Sequence, residues 1–332
     1  MKKNIFIKVA ALFLVMTLMV GMFSSCTSTT ENNKVVIYTS AEDYRVDDLR
    51  ARLTAQFPDY DIVIEYMSTG NHAAKLVAEG TTTECDITHD LEYGYLAQIQ
   101  EKGFLADLSE YDTSIFTEDV ALSNYYIPEL RNGGAIIINP AVLAQKGLEA
   151  PTSYEDLLKP EYKNLISMPS PKSSGTGYMF LKNLVNAWGE QEAFDYFDKL
   201  TENILQYTSS GSGPVNALVQ GEVAIGLGMT AQAVTQINNG EELEIVFFEE
   251  GSPYSLYGQG IIKGKETKKA VKEVFDFLYN TYTQEACEKF FPEKIFKDKD
   301  FTIENYPTDI KYADMKNNTI SEKERLLEAW TH

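Results

Sequence analysis

Val35-Val36-Ile37-Tyr38-Thr39-Ser40 holds the decisive pattern of this 332-residue chain: four β-branched or aromatic apolar residues, then two small hydroxyl residues. A helical pattern marked by Leu49, Leu53 and Phe57 follows. A short apolar run without alternation is a strand covered on both faces, and the 3.6-residue spacing behind it is a helix packed back on that strand. Pro58-Asp59 stops this helix, and Ile62-Val63-Ile64-Glu65-Tyr66 repeats the strand, ending at Met67-Ser68-Thr69-Gly70-Asn71. A second helix carries Ala73, Leu76 and Val77. Cys85-Asp86-Ile87 is a third short strand, with a helix from Leu91 to Gln100 and a turn at Gly103. Strand, loop and helix in alternation predict an α/β fold with a parallel sheet and helices on its faces.

The pattern changes after Pro128. Gly134-Ala135-Ile136-Ile137-Ile138-Asn139 is a buried strand that carries the chain into a second lobe. There Leu165 to Met168 is a strand, residues 171–178 open a helix to Trp188, and Gln191 to Leu200 is another helix. Residues 207–214 lead into a helix through Val219, Val223 to Gly228 is a strand, and Thr230 starts a helix to Ile237. Ile245 to Phe248 leads back through Tyr254 to Gly260, where the chain recrosses. This divides it into lobe 1, residues 34–133 plus 261–332, and lobe 2, residues 134–260. The helical tail from Lys265 to His332 is expected on lobe 1.

Ahead of the first strand stand Lys2, Lys3 and Lys8, an uncharged apolar run from Val9 to Phe23, and Ser24-Ser25-Cys26. A basic segment, a short apolar segment and small residues before a cysteine read as an export signal whose cleavage exposes Cys26 for lipidation. Residues 1–25 are thus expected to be a lipoprotein signal peptide, and 26–33 a flexible tether rich in Ser, Thr and Asn. The apolar run is shorter than the ~20 residues that span a bilayer. The protein is expected outside the cytoplasm, lipid-anchored to the cell membrane through Cys26.

Removing residues 1–25 takes away three lysines and leaves 26 basic against 49 acidic residues, a net charge of −23. Contact with phosphate backbones needs concentrated Lys and Arg, so nucleic acid is excluded as a partner. Twenty Tyr and seventeen Phe mark a folded chain. Besides Cys26 there are only Cys85 and Cys287, which lack the short spacing that clamps zinc. They are either buried free thiols or one long-range disulfide.

Four loops share one character, a strand end followed by small hydroxyl residues and a helix start: Thr39-Ser40, Ser68-Thr69-Gly70-Asn71, Ser173-Ser174-Gly175-Thr176 and Ser209-Ser210-Gly211-Ser212. Ligands of open α/β sheets bind beyond the carboxyl ends of strands, where helix N-termini offer free N–H groups and partial positive charge. Each Ser or Thr could simply cap its helix. Two such loops in each lobe shift the balance toward a cleft that cradles an oxyanion, lined by Thr39, Ser40, Thr69, Gly70, Ser173, Ser174, Gly175, Thr176, Ser209, Ser210, Ser212, Thr230 and Tyr257. Lys172 is the one nearby cation.

The alternatives are weaker. Neither glycine-rich stretch has the phosphate-loop spacing, and Gly226-Leu227-Gly228 lacks the third glycine of a dinucleotide site, so no cofactor is expected. Ser210-Gly211-Ser212-Gly213-Pro214 is not the strained serine turn of a hydrolase. His89-Asp90 with Glu92 has suitable chemistry for a metal, but the spacing carries no signal, and Asp90 reads as a helix cap. A secreted hydrolase and a surface lipoprotein without a solute remain the rivals from other classes.

The chain resembles the solute-binding components of ABC importers, in the two-lobe family that includes ferric-iron, thiamine, aminoethylphosphonate and hexose-phosphate binding proteins. The resemblance rests on residues 35–40, the helix from Gly70 to Glu79 with Lys75-Leu76 and Ala78-Glu79, Asp86-Ile87, Gly103 to Leu108, Ser174 to Tyr178, and Gly221 to Gly226. It implies a type II periplasmic-binding-protein-like fold with a hinge and an interlobe cleft, a monomer without enzymatic activity, a small solute, and a membrane permease as partner. Ferric-binding relatives present adjacent tyrosines where this chain reads Tyr207-Thr208-Ser209-Ser210-Gly211-Ser212, and Fe(III) wants anionic oxygens. Iron therefore ranks second, behind a solute with a phosphate or phosphonate group.

Overall fold

A computed structural model describes residues 33–332. Residues 1–25 and Cys26 lie outside them. The elements run β1 (Lys34–Thr39), α1 (Asp43–Gln56), β2 (Asp61–Tyr66), α2 (Thr69–Glu79), β3 (Ile87–Glu92), α3 (Tyr93–Glu101), β4 (Ile127–Ile138), α4 (Pro140–Lys146), β5 (Ile166–Pro169) and α5 (Gly175–Trp188). Then come α6 (Glu190–Leu200), β6 (Ile204–Thr208), α7 (Gly213–Val219), β7 (Ile225–Met229), α8 (Thr230–Asn238), β8 (Glu244–Val246), β9 (Tyr254–Ile261), α9 (Lys269–Phe277), α10 (Thr283–Phe290) and α11 (Ile320–Ala329).

The strands order β2-β1-β3-β9-β4-β7-β5-β6, with β8 also on β4. β1 is parallel to β2 and β3, and β5 is parallel to β6 and β7. These two parallel groups are the lobes expected from the alternating pattern. Between them lie the antiparallel strands that cross: β4 pairs with β9 over Ile127–Gly133 and with β7 over Gly134–Ile138. The partner switch falls between two glycines, Gly133 and Gly134. A Cβ on Gly134 would lie 2.8 Å from Met179 and 2.9 Å from Phe180, so the strand approaches α5 closely.

Each lobe is a three-layer sandwich. In β1, Val35 and Ile37 face the α1, α9 and α10 side, whereas Val36 and Tyr38 face Ala73 and Leu76 of α2 and Leu96 and Ile99 of α3. In β4, Ile136 and Ile138 pack with Tyr178, Leu181 and Leu184 of α5, and Ala135 and Ile137 pack with Val215 and Leu218 of α7. Both strands thus bury alternate side chains on opposite faces, the reason their sequences read as unbroken apolar runs.

Three expectations change. β3 runs to Glu92 through the stretch read as a strand-end loop, and all six of its residues are buried. A register shift lies between Thr88 and Leu91, and Asp90 sits at φ 52°. Its polar residues tolerate burial because each has a partner, described below. β4 begins at Ile127, earlier than expected, because the register shift between Pro128 and Leu130 accommodates the proline that reads as a break. Finally, the tail does not stay on the first lobe: α9 and α10 do, but Ala313, Met315, Leu326 and Trp330 enter the second lobe's core. Trp330 packs 5.1 Å from Phe197 and 5.8 Å from Tyr207, ring centroid to centroid. Cys85 and Cys287 are buried free thiols, and burial pushes the Cys287 thiol up to about 12. No helix of the described residues is long and apolar enough to cross a membrane.

Candidate functional site

Two helix N-termini from opposite lobes meet. α2 begins beyond β2, and α5 begins beyond β5, so both starts lie at carboxyl ends of parallel strands. The first-turn N–H of Gly70 donates to the carbonyl of Ser173 at 3.0 Å. A Cβ on Gly70 would stand 2.7 Å from the Lys172 carbonyl oxygen, so only glycine lets the two backbones touch. Beside this contact, a Cβ on Gly175 would strike the hydroxyl of Tyr257, with Thr69 Oγ1 3.5 Å away. Tyr257 comes from crossing strand β9. Burial, then the charges of Glu92, Asp90 and Glu42, hold its hydroxyl well above the usual range, while a hydrogen bond with Thr69 opposes them. It is therefore a neutral donor at the junction.

The second lobe adds a further side. A Cβ on Gly211 would collide with Thr176 Oγ1 and lie 3.4 Å from Met229 Cε, which brings the 209–212 turn against the start of α5. Ser210 and Ser212 hydroxyls pair at 2.9 Å. Tyr66, at the end of β2 in the first lobe, reaches Ser210. Thr230 opens α8 fully buried, and its Oγ1 has no partner. The hydroxyl of Ser68, the residue before α2, is likewise inaccessible and unpartnered.

Several expected ligands have other employment. Ser174 caps α5, its Oγ accepting from the Gly177 N–H at 3.4 Å. Thr39 is fully buried, its Oγ1 accepting from the Ala41 N–H and lying 2.9 Å from His89 Nδ1. Ser209 and Lys172 are exposed. Thr69, Gly70, Ser173, Gly175, Thr176, Ser210 and Tyr257 are the residues brought together; Ser212 reaches them through Ser210.

Beneath the first lobe's side lies a buried polar layer that joins His72, Arg45 and Glu129, which the sequence pattern does not single out, to Ser40, His89 and Asp90. His72, fully buried in α2, is 2.9 Å from Ser40 Oγ through Nδ1 and 3.0 Å from Thr88 Oγ1 through Nε2. Burial foremost, then the charges of His89 and Lys75, lower its pKa to about 3, so the ring is neutral and holds Ser40 in place. Asp90 takes Arg45 in a two-pronged pair, and Arg45 also bonds Glu42 at 2.9 Å. Burial raises the Glu42 carboxyl, against the pull of Arg45. Glu129 accepts from the Asp90 N–H at 2.6 Å and faces His89 Nε2 at 3.0 Å. Glu92 turns away to Lys323. His89, Asp90 and Glu92 therefore diverge to three different partners instead of converging on a metal. A cavity of about 920 Å³, lined by Tyr154, Trp188, Tyr196, Glu249 and Glu250, lies on the second lobe away from these loops.

The family profile described as "Bacterial extracellular solute-binding protein" matches residues 91–318. A Haemophilus influenzae protein that carries only the name "Uncharacterized protein" is 30% identical over 271 residues, covering 79% of this chain and 77% of its own. A Salmonella typhimurium protein, named provisionally as a 2-aminoethylphosphonate-binding periplasmic protein, is 24% identical over 232 residues, 67% of this chain and 66% of its own. Among solved structures, the periplasmic binding protein AfuA from Actinobacillus pleuropneumoniae with fructose 6-phosphate bound superposes with a TM-score of 0.78. It is 26% identical, and the match covers 90% of this chain and 97% of that one.

Proposed function

The chain belongs to the bacterial extracellular solute-binding proteins, and from that premise we propose that it captures a small solute bearing a phosphate or phosphonate group between its two lobes. The observation that carries this reading is the meeting of two helix N-termini across the lobes, at Gly70–Ser173 and at Gly175–Tyr257. The positive ends of two helices suit an oxyanion, and the neighbouring hydroxyls of Thr69, Thr176, Ser210 and Tyr257 add uncharged donors; in this arrangement the Gly70 N–H is held by Ser173 and the Gly177 N–H by Ser174. Such donors act locally, which matters in a chain of net charge −20 that repels anions at a distance. A phosphonate-named relative and a sugar-phosphate-bound neighbour support the same solute class.

In this reading lobe 1 is residues 34–133 with 261 to about 312, lobe 2 is residues 134–260 joined by the tail beyond, and the hinge lies in β4 and β9. Closure buries the solute and presents the closed form to an ABC permease. Cys26 anchors the chain to the membrane through lipid, and the protein acts as a monomer without chemistry of its own. The test is the thermal midpoint of the purified protein against glucose 6-phosphate, 2-aminoethylphosphonate, inorganic phosphate, thiamine phosphates, spermidine and Fe(III)-citrate. A solute at 100 times its Kd adds about 2.7 kcal/mol of stability. Stabilisation by a phosphorus-bearing solute without turnover supports the reading, and stabilisation by iron or spermidine alone rejects it.

A further inference from the structure

Two side chains on the crossing strands have no part in the site as built so far. Asn132 of β4 and Ser255 of β9 are direct partners in the antiparallel register, so their side chains stand next to each other on one face. Both residues are more than nine-tenths buried, and neither Asn132 Oδ1 nor Ser255 Oγ has a hydrogen-bond partner. Native structures seldom leave buried polar atoms unpaired, and two adjacent cases call for a physical account.

Their position supplies one. Asn132 Nδ2 donates to Met229 Sδ at 3.1 Å, and the far end of Met229 is the group that packs toward Gly211 and Thr176. Ser255 lies two residues before Tyr257, hence on the same face of β9 as the tyrosine that meets Gly175 and Thr69. The two oxygens thus border the interlobe junction from below, on the strands about which the lobes turn. Thr230, next to Met229, adds a third buried hydroxyl without a partner.

We infer that Asn132 and Ser255 form a second contact point for the solute, apart from the anion-binding helix ends, which accepts a hydrogen bond from a donor group on the solute. This rests on the proposed solute site. The amide nitrogen of Asn132 is already turned to sulfur, so its carbonyl is left to accept, and a serine hydroxyl accepts as readily as it donates. The solute is then a substituted phosphate or phosphonate whose other end carries a hydroxyl or an ammonium group. Recognition of that end by both crossing strands couples it to hinge position.

Titration calorimetry on the intact protein, Asn132→Ala and Ser255→Ala tests this with ethylphosphonate, inorganic phosphate, 2-aminoethylphosphonate, fructose 6-phosphate and putrescine. Each substitution should weaken a donor-bearing phosphorus solute by about five- to tenfold, the loss of one hydrogen bond, and leave ethylphosphonate unchanged. Loss confined to 2-aminoethylphosphonate identifies the donor as an amine, and loss confined to fructose 6-phosphate identifies it as a hydroxyl. Unchanged binding in both variants, or equal weakening of ethylphosphonate, overturns the contact. Wild-type protein that binds putrescine alone refutes the anion site, and the hinge contact then stands or falls on whether Asn132→Ala weakens putrescine. Binding of none of the five overturns both. Ser255→Ala removes only one oxygen, so it reports even if Asn132→Ala fails to fold.

Discussion

The Gly70 amide in one lobe donates to the Ser173 carbonyl in the other at 3.0 Å, a backbone hydrogen bond made directly between two helix starts. Gly70 has no left-handed φ, so an alanine there suffers only from its neighbours, the Lys172 oxygen at 2.7 Å and Ser173 Cα at 3.2 Å. Those neighbours are backbone and cannot rotate away. Gly70→Ala should therefore oppose closure by roughly 1–3 kcal/mol, the range for overpacking, and weaken solute binding about tenfold or more. The ligand-free protein should keep its thermal midpoint. A lowered midpoint with unaltered affinity would make this contact permanent packing and not a closing surface.

Gly175 and Tyr257 should behave as a coupled pair. The Cβ of Gly175→Ala would meet the tyrosine hydroxyl, and Tyr257→Phe removes the atom in the way. Gly175→Ala alone should lose affinity by about tenfold or more for the same overpacking reason. The double variant should recover part of that loss, leaving a coupling energy of roughly 0.5–3 kcal/mol in a double-mutant cycle. Simple additivity would mean that the strand and the helix separate without cost.

How much of this was readable in the chain differs by residue. Thr69, Gly70, Gly175 and Thr176 were legible because strand ends, small residues and helix starts are local patterns, and the fold brings such ends together. Ser174 is legible both as a helix cap and as a ligand donor; its oxygen caps α5 by accepting from Gly177, which leaves the hydroxyl hydrogen to donate. His72, Asn132 and Ser255 gave no signal, since each matters through a partner far away in sequence: Ser40 and Thr88 for His72, and each other across β4 and β9 for the last two. β3 was misplaced because Thr88-His89-Asp90 lacks apolar character, and only the distant Arg45, Glu129 and His72 make its burial tolerable. Beyond residue 312 the tail bridges the lobes, with Leu326 and Trp330 in the second lobe's core and Lys323 on Glu92 of the first; this was not legible because helical periodicity says which face is buried and not against what.

His72 gives the protein a specific acid sensitivity. Its folded pKa near 3 lies below the unfolded value of about 6.5, so the unfolded chain binds the proton first. The stability this group contributes is complete above about pH 6.5 and is lost as pH falls from there toward 3, at up to about 1.4 kcal/mol per pH unit. Urea unfolding between pH 7 and 4.5 should show this slope, and His72→Asn should remove about one proton's worth of it. NMR signals of the His72 ring should stay at their neutral positions down to pH 4.5; titration near pH 6 would refute the buried neutral state.

Lys323 and Glu92 are the last pair to test, because they tie the tail to β3 of the first lobe. α11 is fixed to the second lobe by Leu326 and, just past its end, Trp330, yet Lys323 on its other side reaches Glu92 of β3 at 2.5 Å. Both side chains are almost wholly buried, and the ammonium also stands 3.8 Å from the Tyr95 ring centroid and 4.5 Å from that of Tyr178. A buried pair of this kind adds little over an apolar replacement, but removal of one partner strands the other charge, typically at about 3–5 kcal/mol. Lys323→Met should therefore destabilise the protein by roughly that amount in chemical unfolding. Lys323→Met with Glu92→Leu should recover most of it, because no charge is left buried. Glu92 sits opposite Tyr257 in the β3–β9 register, so the single variant should also disturb the solute site, and the double variant should restore stability more completely than affinity. Equal restoration of both would show that the pair serves folding alone.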